Sequence, residues 1–125
     1  MKEQIVSFET AKLLKEIRFN WKTLNWYDNK EELHINPIKN HNKEKFSISA
    51  PTQCLAQKWL REEYKVFILP DYNYYSDTYT FYLHSANKNY APDEYSEYQE
   101  NFDTYEDALE KGLQEAISMI IKQSK

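Results

Sequence analysis

The residues that could do chemistry are few and scattered. Cys54 is the sole cysteine, and His34, His41 and His84 are the only histidines. No histidine stands at metal-ligand spacing from another or from Cys54, so the pattern assigns no metal and no cofactor. The plainer expectation is one strand histidine, one loop histidine and one at a strand end. Cys54 has one property a nucleophile would use: it falls in the first turn of a segment that reads as a helix, and a helix N-terminus can activate a thiol. A nucleophile also needs a base, and nothing in the spacing places His34 or His84 beside it. A small, half-buried helix residue is the simpler role. The single glycine, Gly112, lies inside a helical pattern, so there is no glycine-rich phosphate loop. No serine sits in a nucleophile-elbow context.

Carboxylates are more concentrated. Asp93, Glu94, Glu97, Glu100, Asp103, Glu106, Asp107 and Glu110 fall within residues 89–110, which contain no Lys or Arg. A glycosidase-like acid pair or a divalent-ion site could be built from such groups. The ligand spacing and glycine of a calcium loop are missing, however, and Glu106 and Asp107 are ordinary first-turn residues of a helix.

Tyrosine is the stronger oddity. Nine of the eleven tyrosines lie between Tyr72 and Tyr105. Tyr79 and Tyr105 are expected to face the core. Tyr72, Tyr74, Tyr90, Tyr95 and Tyr98 stand in segments that read as exposed. Tyrosine offers large, rigid contact area with a polar tip and is enriched at binding surfaces. With Asp93, Glu94 and Glu97 these tyrosines define a candidate partner-binding surface, aromatic and acidic, suited to a basic protein. The competing expectation is that they pack a long connection onto a sheet.

Composition sets the frame. A chain of 125 residues fits one domain, 1–125. Hydrophobic residues at 41% and charged residues at 29% are a globular balance and exclude a disordered chain. The net charge of −4 is uneven: residues 1–71 hold 12 Lys/Arg against 10 Asp/Glu, and residues 72–125 hold 4 against 10. This argues against general attraction to nucleic acid. A weaker alternative places nucleic acid on Lys39, Lys43, Lys45, Lys58, Arg61 and Lys65, with Trp21 or Trp26 as stacking platforms. Residues 1–8 carry no apolar run behind a basic start, and no apolar run approaches the ~20 residues of a membrane span. With no cysteine pair, a cytoplasmic protein outside the membrane is expected. No feature addresses the oligomeric state.

The elements that must position these residues follow from period and punctuation. Ser7 is placed to cap a helix from Phe8 to about Ile17, although Thr10 stands where a capping box wants Glu or Gln. A strand is expected at Leu24–Asp28, a second near Leu33–Asn36 or Phe46–Ile48, and a polar loop at residues 39–45. Pro51 at a first helical position starts a helix running to about Glu63. Tyr64–Leu69 reads as a central strand ended by Pro70, paired across residues 71–77 with the alternating Tyr79, Phe81 and Leu83. Residues 85–101 show no period. Thr104 caps a last helix whose stripe is Leu109, Leu113, Ala116, Ile117, Ile120 and Ile121. Gly112 within it suggests close approach of a neighbour. With one glycine for all turns, the ten asparagines are the expected left-handed residues. The fold class is α+β in the order α-β-β-α-β-β-α, with a three- or four-stranded antiparallel sheet and helices packed on one face.

Three blocks carry a resemblance. S-A-P-T-Q-x-L-A-x-K-W-L-R-E (Ser49–Glu62), F-x-T-Y-E-x-A-L-E-x-G-L-x-E-A (Phe102–Ala116) and V-S-F-E-T-A-K-L-L-K-E-I-R-F (Val6–Phe19) resemble recurring segments of a family of small uncharacterised proteins from gut bacteria and their phages and mobile elements. The resemblance implies no activity, cofactor or ligand. Arg18 stands where such proteins often have glycine after the first helix. The function expected is a non-enzymatic binding or accessory module; a small hydrolase or transferase using the carboxylates or Cys54 is the alternative.

Overall fold

Thr104 begins the element around which the rest is arranged. Its hydroxyl accepts from the Asp107 amide at 3.0 Å, and the helix α3 runs Tyr105–Gln123. Leu109, Leu113, Ala116, Ile117 and Ile120 are buried along one stripe, as their spacing predicts, and Ile121 packs at its margin. The computed structural model describes residues 3–86 and 101–123, and the backbone of residues 95–97. In chain order the other elements are α1 (Phe8–Glu16), β1 (Thr23–Tyr27), β2 (Leu33–Lys39), β3 (Ile48–Ser49), α2 (Gln53–Tyr64), β4 (Val66–Asn73), β5 (Thr78–Ser85) and β6 (Tyr95–Glu97).

The α+β class holds, but the single sheet does not. The strands form two antiparallel sheets, ordered β2-β1-β3 and β4-β5-β6. The physical reason lies around β3, which is two residues long. The backbone after it turns to the N-terminal segment instead of to another strand of the second sheet. Val6 N donates to the Pro51 carbonyl at 3.0 Å, and Gln53 N donates to the Gln4 carbonyl at 2.8 Å. Helix α3 packs on β4 and β5, while α1 and α2 pack on α3. The core is shared by Leu14, Phe19, Trp59, Leu60, Ile68, Phe81 and the α3 stripe.

Gly112 confirms the expected close approach. A Cβ there would lie 2.6 Å from Ile68 Cγ2 and 3.3 Å from Phe81 Cδ2, so α3 can sit this near the second sheet only with a bare backbone. The two sheets also explain several departures from the sequence expectations. Strand β4 is an edge and not a central strand, and it continues through Pro70 to Asn73, because an edge tolerates a residue without an N–H. Its burial alternates accordingly: Val66 and Ile68 are buried and Leu69 is exposed. Pro37 likewise lies inside the edge strand β2, after a cis peptide bond. Pro51 precedes α2 without entering it. Thr52 is the cap, its hydroxyl accepting from Leu55 N at 3.1 Å. Residues 39–45 are organised, with a 3-10 turn at His41–Lys43 and a buried His41. Asn42 ties that turn to the body, donating to the Phe19 carbonyl at 2.9 Å and accepting from Ser49 N at 2.8 Å.

Candidate functional site

The β4–β5 hairpin projects a turn whose sequence is Asn73-Tyr74-Tyr75-Ser76-Asp77. Asn73 Oδ1 accepts from Tyr75 N at 3.0 Å and Ser76 N at 3.4 Å, and Asp77 closes the turn at φ 55° with its amide on the Asn73 carbonyl at 2.9 Å. This side-chain bracing holds two aromatic residues in solvent: Tyr74 is 80% and Tyr75 96% exposed. Their rings meet edge to face at 5.6 Å.

Further aromatics line the base of the turn. Tyr72 faces Tyr79 across the hairpin with ring centroids 5.3 Å apart, and Tyr79 meets Tyr105 of α3 edge-on at 6.3 Å. Tyr79 is tied in by its backbone, exchanging hydrogen bonds of 2.8 and 2.7 Å with Phe102. Tyr72 and Tyr105 remain 45% and 43% exposed. Tyr105 was expected in the core; as the first residue of α3 it lies off the buried stripe that begins at Ala108. The Tyr72 hydroxyl donates to Asp77 Oδ1 at 2.7 Å, and this hydrogen bond, followed by burial, raises the phenol pKa. Asp71, Asp77, Asp103, Glu106 and Asp107 are all exposed on these elements. Between Lys65 and Lys88 there is no Lys or Arg.

Of the residues singled out from sequence, Tyr72 and Tyr74 are both exposed, Tyr72 near the end of β4 and Tyr74 in the turn that follows it. Tyr75 and Tyr105 join them; the run Tyr74-Tyr75 between two strands was the available signal. Tyr90, Asp93, Glu94 and Tyr98 lie outside the described residues. For Tyr95 and Glu97 only the backbone is described, and it forms β6, paired with His84 and Tyr82 of β5. The sequence pattern showed no strand there.

The groups proposed for catalysis are distributed differently. Glu110 is occupied. Its Oε2 accepts from Ser7 N at 3.0 Å and from the Thr10 hydroxyl, and its Oε1 accepts from Gln53 Nε2 at 2.8 Å. Thr10 is the third residue of α1, where a capping box would carry Glu. Glu110 supplies that carboxylate from α3, so the imperfect box is completed across the fold. Ser7 Oγ contributes the local half, accepting from Thr10 N at 3.2 Å. Cys54 is exposed in the first turn of α2, not half-buried. It stands beside Tyr105, whose phenol pKa is raised first by burial and then by the thiol and Glu106. His34 lies on β2 and His41 in the 3-10 turn that follows it, where their Nε2 atoms bond Asp28 and the Pro37 carbonyl, both at 2.7 Å.

The basic residues gather only in part. Asn20, Lys22, Lys39, Asn40, Lys43 and Glu44 line an open cleft of about 580 Å³. Lys39 pairs with Glu44, whose carboxyl this bond holds below its ordinary pKa. Lys45 lies over the Phe46 ring at 5.4 Å, and Trp21 packs against the core.

The fold and its surface thus define a small α+β domain that displays an aromatic, acidic hairpin tip, with no helix among the described residues long and apolar enough to cross a membrane. No family model matches the chain, and neither a curated protein nor a solved structure matches it.

Proposed function

We propose that this chain is a non-enzymatic binding module that engages a basic protein through the tyrosine-rich, acidic face of its second hairpin. One observation carries the proposal: Tyr72, Tyr74, Tyr75 and Tyr105 are all exposed on or beside the β4–β5 hairpin, with Asp77 bonded to the Tyr72 hydroxyl and Glu106 next to Tyr105 in sequence. Aromatic residues held in solvent by a braced turn cost hydrophobic free energy that only a partner recovers. Carboxylates around them favour a cationic surface and speed its approach. The resemblance of the Val6–Phe19, Ser49–Glu62 and Phe102–Ala116 blocks supports a phage- or mobile-element-encoded accessory role in the cytoplasm.

The test is affinity capture from extracts of the native host with the wild-type chain and with Tyr74→Ala/Tyr75→Ala, followed by titration of the purified partner. The expected result is one stoichiometric partner with a basic surface, bound at least ten-fold more weakly by the variant, as for loss of central aromatic anchors (about 1.4 kcal/mol or more). Binding should also weaken with added salt. A partner held equally well by the double variant refutes the assignment of this face.

A further inference from the structure

We propose that Asp28, Glu32 and His34, at the turn between β1 and β2, form a binding site for a borderline divalent transition-metal ion of the Zn²⁺ type. Among the described residues this is the one group of three whose ligand atoms converge: a nitrogen of His34 and a carboxylate oxygen from each acid all lie within 4.8 Å of one another. A metal bonded at ~2.0–2.2 Å to imidazole nitrogen and carboxylate oxygen needs its ligands somewhat closer than that, a gap that rotation of the exposed Glu32 side chain closes.

The other two ligands are already oriented. Asp28 Oδ1 accepts from Lys30 N at 2.8 Å and Glu32 N at 3.0 Å, which fixes the carboxylate plane. Its Oδ2 is thereby directed at His34 Nε2, 2.7 Å away. The His34 ring is stacked on Trp26 at 4.3 Å with an interplanar angle of 15°. The two amides on Asp28 Oδ1 and the Trp26 ring are the support such ligands require; an ion entering here displaces the proton shared by Asp28 Oδ2 and His34 Nε2 and opens their contact to the ~3.0–3.5 Å that separates ligands on one metal. Side-chain exposures of 39% for His34 and 22% for Asp28 leave a path from solvent and room for water at the remaining positions.

One imidazole with two carboxylates selects a borderline first-row ion over Ca²⁺ or Mg²⁺, which prefer all-oxygen sets. The spacing Asp-x3-Glu-x-His carries no signal in the sequence, because it holds one histidine and no cysteine. The site lies on the first sheet and is independent of the hairpin face proposed for protein binding.

The experiment is calorimetric titration of the full chain, stripped with chelator, with Zn²⁺, alongside fluorescence titration with Cu²⁺. One equivalent of Zn²⁺ should bind, and Cu²⁺ should quench part of the emission, because Trp26 touches a ligand. In Trp26→Phe the Cu²⁺-dependent quenching should disappear while Zn²⁺ stoichiometry stays at one. Glu32→Gln, whose side chain is exposed, should weaken Zn²⁺ at least ten-fold without altering the melting temperature, and His34→Ala should weaken it further. Absence of Zn²⁺ binding to the wild type, leaving an Asp28–His34 ion pair only, overturns the proposal. Equal affinity of wild type, Glu32→Gln and His34→Ala overturns it as well, since the ion would then sit elsewhere.

Discussion

Replacing Glu110 tests whether the acidic stretch contains a structural carboxylate where catalysis was one expectation. In the wild type this group accepts from a backbone amide, a hydroxyl and a side-chain amide, drawn from the starts of both α1 and α2. Glu110→Gln keeps the shape but leaves one carbonyl oxygen for two sets of donors. Whichever way the new amide turns, its nitrogen faces either Ser7 N or Gln53 Nε2. A hydrogen bond to a charged group contributes about 1.5–3 kcal/mol, and a carboxylate near a helix N-terminus adds about 0.3–1 kcal/mol. Because Glu110 is half-buried, water recovers part of this loss, and a net cost of about 2 kcal/mol is expected. For a domain of this size that lowers Tm by roughly 6–10 °C. Urea melts followed by circular dichroism measure the difference. Glu115→Gln, which removes a partly exposed i,i+4 pair with Lys111 at 3.4 Å on the same helix, should cost less than about 0.5 kcal/mol. If the Glu110 and Glu115 variants melt together, the cross-fold cap contributes nothing and the reasoning fails.

Two further substitutions probe the backbone. Gly112→Ala gains about 1 kcal/mol of helix propensity but drives a methyl into Ile68 Cγ2, so a net loss of about 1–2 kcal/mol is expected in chemical denaturation. In an Ile68→Leu background, which lacks the β-branch methyl, that loss should shrink; an unchanged penalty would place the clash elsewhere. Arg18 follows α1 at φ 68°, a left-handed position, and Arg18→Gly should stabilise the fold by up to about 1 kcal/mol while Arg18→Ala does not, as read by thermal melts of both.

What was legible in the sequence, and what was not, divides by the range of the interaction involved. The α3 stripe and the caps Ser7 and Thr104 depend on neighbours three or four positions away, so periodicity locates them. The asparagine expectation holds at Asn36, while Asn87 and Asn89 lie outside the described residues. Among the described residues the other left-handed positions are Arg18, Glu31, Lys65 and Asp77. Asn40 and Asn73 brace their turns through side-chain oxygens accepting backbone amides, a different use of the same residue type. The division into two sheets was not legible, because it is decided by residues 4–6 pairing with residues 51–53, a contact without periodic signature. Strand β6 depends on β5 in the same way.

The sites follow the same rule. Tyr72 and Tyr74 were recognisable as surface residues from their place in the loop 71–77 between two paired strands, a local pattern. Glu110 was misleading because its donors come from α1 and α2, and a carboxylate count cannot distinguish a bonded acid from a free one. The Asp28, Glu32 and His34 group lies between these cases: it spans one turn, yet it converges only because Asp28 accepts two amides and Trp26 receives the imidazole. An acid becomes chemically informative once its donors are counted. Three donors consume Glu110, whereas Asp28 spends one oxygen on its turn and presents the other to His34.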